Sequence, residues 1–205
     1  MDPCSILVFG HSFIYWLNEY QRKYMKNLGL NSNEFKIYFV GIRGGQFKRH
    51  IHSKYQKHSL VKYLCDAVKM HNPKIVFLQL GGNDLDIDKC EIHKVLRSVW
   101  SLAEFLIEGF GVSKVCIGHL FPRPSPNKIS PEVYSSRQQD INKLFNGLMK
   151  KHEDIIIRKN VGFQNNYSMK FGKRGIHLNK KGNESFAKNM KRALILTRDT
   201  NVSTS

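Results

Sequence analysis

Five short apolar runs rich in β-branched and aromatic residues recur along the chain, each followed by a longer stretch with helical spacing. They are Ser5 to Phe9, Phe35 to Val40, Lys74 to Leu80, Lys114 to Leu120 and a run opening at Asp154. None alternates apolar with polar, so each must be covered on both faces, as strands of a parallel sheet are. The helical stretches are Ile14 to Leu28, closed by Gly29; Ser59 to His71, capped by Ser59; Asp88 to Gly109; Pro131 to His152; and Lys180 to Thr197. Strand and helix in alternation predict a three-layer α/β/α sandwich around one five-stranded parallel sheet. We find no repeat and no linker, so residues 1–200 read as one domain and 201–205 as a frayed tail.

Composition excludes several classes. The 205 residues are 41% hydrophobic and 24% charged, which is ordinary globular usage. No apolar run approaches the ~20 residues of a membrane span, and no signal-peptide pattern opens the chain. Cys4, Cys65, Cys90 and Cys116 form no Cys-x-x-Cys pair, which points to reduced thiols. The expected setting is therefore intracellular, cytoplasmic or nuclear. Cys65 and Cys116 read as core packing. With 33 Lys+Arg against 16 Asp+Glu the formal charge is +17, which suits a polyanionic partner.

In an open α/β sheet, ligands bind beyond the carboxyl ends of the strands. The segments there are Gly10-His11-Ser12 after the first run, Gly41-Ile42-Arg43-Gly44-Gly45 after the second and Gly81-Gly82-Asn83-Asp84 after the third. Gly175-Ile176-His177-Leu178-Asn179 precedes the last helix. Together they offer a hydroxyl, pliable backbone, a side-chain amide and an imidazole. Those are the parts of acyl transfer: a serine nucleophile, a histidine base and donors for an oxyanion. Ser12, where a strand passes into a helix, places its N–H near a helix N-terminus.

Gly-x-Ser, Gly, Gly-x-Asn-Asp and a late His, in this order, resemble the SGNH hydrolases, the GDSL esterase/lipase superfamily, from about Ser5 to Arg192. The resemblance implies strand order 2-1-3-4-5, Ser12 as nucleophile and His177 as general base. It assigns the oxyanion hole to Ser12, Gly44 and Asn83. It implies a small ester or lipid substrate and no cofactor or metal. Two positions depart from the family pattern. His11 stands where Asp is usual, and is expected to be a structural histidine bonded to backbone. Arg174 stands where the triad acid is usual, three residues before His177, and a cation there would depress the histidine's pKa. A Ser–His dyad, a ring oriented by a backbone carbonyl or distant acid, and a feeble enzyme all remain open.

Other motifs fail. Asp84, Asp86 and Asp88 begin like an EF-hand loop, but Lys89 and Val95 fall where glycine and glutamate are needed, so they read as loop and helix cap. His50 and His52 have no companion ligands and read as solvated. The P-loop, the dinucleotide fingerprint and the Gly-x-Ser-x-Gly elbow are absent. Between Arg43 and Cys65 lie six basic residues and no acid, interleaved with Phe47, Tyr55 and Tyr63. Candidate contacts for nucleic acid or an anionic membrane surface are Arg43, Lys48, Arg49, Lys170, Lys173 and Arg174. The combination resembles SGNH domains encoded by some retrotransposons.

Overall fold

The structure, a computed structural model, describes residues 2–47, 57–149, 151–164 and 167–200. Strands β1 (Cys4–Gly10), β2 (Phe35–Gly41), β3 (Ile75–Gln79), β4 (Lys114–Gly118) and β5 (Ile155–Arg158) form one all-parallel sheet in the order 2-1-3-4-5. The predicted α/β sandwich and strand order are what the chain adopts.

Two cores explain why the strand runs are continuously apolar. Leu7, Phe9, Val76 and Leu78 point to one face, under α2 (Leu60–His71), α4 (Ile92–Phe110) and α5 (Pro131–Leu148). Ile6, Val8, Ile75 and Phe77 point to the other, under α1 (Ser12–Tyr24) and α6 (Lys180–Asp199). Alternate side chains of one strand thus enter different cores, and neither set can be polar.

Helix starts follow their caps. Ser59 Oγ accepts the Lys62 N–H, Ser130 Oγ accepts that of Val133, and Asn179 Oδ1 accepts that of Gly182. Helix ends deviate from expectation where side chains intervene. α1 stops at Tyr24 rather than Leu28. Asn27 (φ 52°) and Leu28 (φ 53°) bend the chain so that Leu28 enters the core, and the Asn27 amide donates to the carbonyls of Leu30 and Phe35. The helix expected from Asp88 starts at Ile92, because Arg137 takes the carbonyls of Leu85, Ile87 and Asp88. A one-turn helix, α3 (Gly82–Leu85), precedes it. α5 ends at Leu148, short of His152. Cys116 is buried as expected, whereas Cys65 is only half-buried, on the flank of α2.

β1 and β3 are neighbours although β2 intervenes in sequence, so the chain leaves β1 in one direction and returns on its other side. The crevice at such a switch point is where α/β sheets bind ligands. Its walls are close. A Cβ on Gly41 would stand 2.2 Å from the Tyr15 backbone nitrogen, whereas one on Gly147 would meet nothing within 4 Å. Gly41→Ala should therefore lower stability by about 1–3 kcal/mol or more. Gly147→Ala should raise it by about 0.5–1 kcal/mol. Chemical denaturation of both variants checks the pair.

Candidate active site

Ser12 is the first residue of α1, 5% exposed, and the N–H groups of Ile14 and Tyr15 both turn to the His11 carbonyl. The Ser12 N–H therefore sits among the unsatisfied donors of a helix N-terminus. Behind it, Gly10 accepts the Ile42 N–H at 2.8 Å, joining the β1 and β2 loops.

Asn83 opens the third loop and is held from three sides. Its Nδ2 donates to the Gly45 carbonyl at 2.8 Å. Its Oδ1 accepts from Arg123 Nη2 at 2.6 Å. Its backbone carbonyl accepts from Gln46 Nε2 at 2.7 Å. With the amide oxygen claimed by a guanidinium, the nitrogen must face the β2 loop, and one of its two hydrogens remains for a ligand. Gly44, in that loop, has φ 66°, and no heavy atom lies within 4 Å of where its Cβ would be. Its peptide borders open space and serves a conformation that disfavours other residues.

Arg123 is the residue that sequence reasoning missed. It is 2% exposed, pairs with Asp86 at 3.1 Å, and lies over the rings of Phe13 and Tyr134. The carboxylate of Asp86 also accepts the backbone N–H groups of Asn127 and Lys128, which draws the proline-rich loop onto α3. Asp84 accepts the Phe47 N–H, yet burial pushes its carboxyl up to about 7. The one available signal was position: Arg123 directly continues the apolar segment Leu120-Phe121-Pro122, at the carboxyl end of β4.

His177 rides on a tight turn. Phe171 pairs with Leu178, the Gly172 N–H donates to the His177 carbonyl, and Gly175 (φ 63°) is packed so closely on Ser125 that a Cβ there would approach Ser125 Oγ to 2.7 Å. Its ring lies 6.5 Å from that of Phe13 and 6.1 Å from that of Trp16. No hydrogen bond joins it to Ser12 or to a carboxylate among the described residues. Its pKa is pushed down, first by burial, then by Arg123 and Arg43. The depressing cations are thus Arg123 and Arg43. Arg174 stands exposed on the turn.

His11 departs from its expected role. It is buried, and neither ring nitrogen has a hydrogen-bond partner, so it is not bonded to backbone. Its neighbours explain this. The ring packs 5.6 Å from that of Phe13, and Nε2 faces Gly82, whose carbonyl already accepts from Tyr134.

The remaining candidates scatter. Arg43 lies over the rings of Tyr15 and Trp16. Lys170 donates to the Gly162 carbonyl and covers Phe163, so it is turned inward. Lys173 and Arg174 are exposed, make no hydrogen bond or ion pair among the described residues, and line an open groove of about 320 Å³ with Trp16, Gly172, His177 and Leu178. Lys48, Arg49, His50 and His52 lie outside the described residues. Among those described, no group of three or more His, Cys, Asp or Glu is placed to hold a metal, and no helix is long and apolar enough to cross a membrane.

Burial depresses the His11 pKa from 6.5 to about 3. Because the folded value is the lower one, the unfolded chain takes up a proton first as pH falls, and stability drops between about 6.5 and 3. At pH 5 the loss is about 2 kcal/mol. His11→Leu should therefore raise Tm relative to wild type more at pH 5 than at pH 8. An equal difference at both pH values would contradict a neutral, unpartnered His11.

No family model and no curated protein matches the sequence. Solved structures do match the fold. A carbohydrate acetylesterase family member from Sinorhizobium meliloti superposes with a TM-score of 0.71 at 13% identity, covering 96% of this chain and 99% of that one. A GDSL-like lipase from Bacteroides thetaiotaomicron gives 0.65 at 17% identity, with 93% and 87% covered. The aryl esterase of M. smegmatis gives 0.64 at 15%, with 92% and 98% covered. This chain thus has, over nearly its whole length, the same fold as solved acetylesterases, lipases and aryl esterases.

Proposed function

We propose that this chain is a serine hydrolase of carboxylic esters, of the SGNH type, working through an acyl-enzyme with Ser12 and His177 as a dyad. The observation that carries the reading is the clamped amide of Asn83. A buried arginine fixes its oxygen, and the Gly45 carbonyl, next to Gly44, takes one of its two N–H hydrogens and leaves the other spare. On this reading that N–H joins those of Ser12 and Gly44 as the three donors of a tetrahedral oxyanion. The esterase and lipase identities of the structural neighbours support the same reading.

The steps follow from the groups present. His177 takes the Ser12 hydroxyl proton as Oγ bonds to the ester carbonyl carbon. The carbonyl oxygen becomes an oxyanion and accepts N–H groups of Ser12, Gly44 and Asn83. The bond to the alcohol oxygen then breaks, and the proton on His177 passes to that oxygen. Water repeats the sequence, freeing the acid and restoring Ser12. A depressed pKa keeps His177 neutral and ready to accept at neutral pH, and makes its charged form a strong acid toward the departing alkoxide. The cost is a poorly stabilised imidazolium.

Lys173 and Arg174, exposed beside His177, favour a second reading: a catalytically weak module that binds nucleic acid or an anionic membrane, as a retroelement protein could use.

Two outcomes test the first reading. A fluorophosphonate probe should label Ser12, and Ser12→Ala should abolish both labelling and turnover of short p-nitrophenyl esters while the circular dichroism spectrum is retained. Labelling of another serine would sink the assignment. Asn83→Ala should cut kcat by about 10²–10³ with little change in KM. An effect confined to KM would reduce Asn83 to a substrate contact. Salt-sensitive binding to single-stranded nucleic acid or anionic vesicles, with no hydrolysis by wild type, would favour the second reading.

A further inference from the structure

The groove beside His177 has an uneven electrostatic make-up. All sixteen Asp and Glu residues lie among the described positions, and none lines it. Lys173 and Arg174 line one side. Arg43 lies over Trp16, which forms another side. Arg123 acts on His177 from below, and the other imidazole close by, His11, is neutral. A site for a neutral ester gains nothing from Arg123 and Arg43 beside its general base, since each disfavours the imidazolium that catalysis must form.

We infer that the preferred substrate is an ester whose alcohol portion carries an anionic group, a carboxylate or phosphate, seated against Lys173 and Arg174 in the groove beside His177. The inference rests on the esterase reading and names its substrate class. His177 returns its proton to the departing alcohol oxygen, so the alcohol portion lies on the histidine side of the reacting carbon, where the groove opens. An anion there is attracted by unpaired exposed cations. It also supplies the counter-charge for His177 that no carboxylate of the chain supplies, because an opposite charge within about 4–6 Å favours the charged imidazole. Bound substrate thereby offsets the field of Arg123 and Arg43 on His177.

The test compares 4-acetoxybenzoate with its neutral isostere 4-acetoxybenzamide. Both give the same acetyl-enzyme, so any difference arises in binding and acylation. Wild type should show kcat/KM for the benzoate about 10-fold or more above the amide at low salt, with the ratio shrinking as salt rises. The ratio should collapse in Lys173→Ala/Arg174→Ala and reverse in Arg174→Asp. Single-turnover acylation at saturating ester should lose its acid limb at a higher pH with the benzoate, whereas the limb of kcat/KM, which reports free enzyme, should coincide for the two. Ser12→Ala, which cannot turn over, should bind the benzoate more tightly than the amide by titration calorimetry.

Equal kcat/KM for the two esters, or a preference unchanged by the Lys173 and Arg174 substitutions, would overturn the inference and leave the esterase reading intact. Hydrolysis of neither ester by wild type, with tight benzoate binding to Ser12→Ala, would overturn both. It would leave an anion-binding groove without chemistry. 4-Acetoxyphenyl phosphate, which keeps the acetyl ester and carries phosphate in place of the carboxylate, is assayed in parallel and decides between carboxylate and phosphate.

Discussion

The contact on which the site depends is the guanidinium of Arg123. It is almost wholly buried, and it divides its donors between the carboxylate of Asp86 and the amide oxygen of Asn83. A buried charge is tolerable only when its partners are in place, and removing one partner of such a pair is commonly worth 3–5 kcal/mol. The pairing therefore does two jobs at once. Through Asp86 it anchors the proline-rich loop, against which Gly175 of the histidine turn packs. Through Asn83 it selects one of two amide orientations and aims the nitrogen at the β2 loop. The amide of Asn83 and, through the proline-rich loop, the turn of His177 are thus tied to one cation, which also lies over Phe13 beside Ser12.

The same cation shapes the chemistry. Arg123 and Arg43 depress the basicity of His177 after burial has already done so, and no carboxylate opposes them. In a complete triad an acid both orients the imidazole and stabilises its charge. Here orientation falls to the packing of Phe13 and Trp16 and to the turn between Phe171 and Leu178. Charge stabilisation is left to whatever enters the groove. In the proposed Ser–His dyad, such a histidine is well matched to abstracting a proton near neutral pH and poorly matched to holding it.

How much of this the sequence disclosed depends on the range of the interaction. Strand runs are local and both faces are apolar, so Leu7 and Ile6 announce two cores and the sheet order follows from the resemblance. Ser12, Gly44, Asn83 and His177 stood out as candidates because each follows a strand or precedes a helix. Arg123 was not, because its role exists only through Asp86 and Asn83, which are 37 and 40 residues away. Nor was the orphaned His11. A histidine beside a strand end is ordinarily paired, and only the packing of Phe13 and Gly82 denies it a partner. Helix ends failed for a related reason. Asn27 and Leu28 take left-handed backbone inside the stretch that periodicity assigns to one helix, and Arg137 holds the Asp88 carbonyl at the predicted start of another.

The most direct test of the account is acid quenching of wild type during turnover of an activated acetyl ester, followed by intact and peptide mass spectrometry. The account predicts an acetyl adduct confined to the peptide bearing Ser12, formed in wild type and lost in Ser12→Ala. Hydrolysis proceeding with no adduct, or with the acetyl group on another side chain, would contradict it.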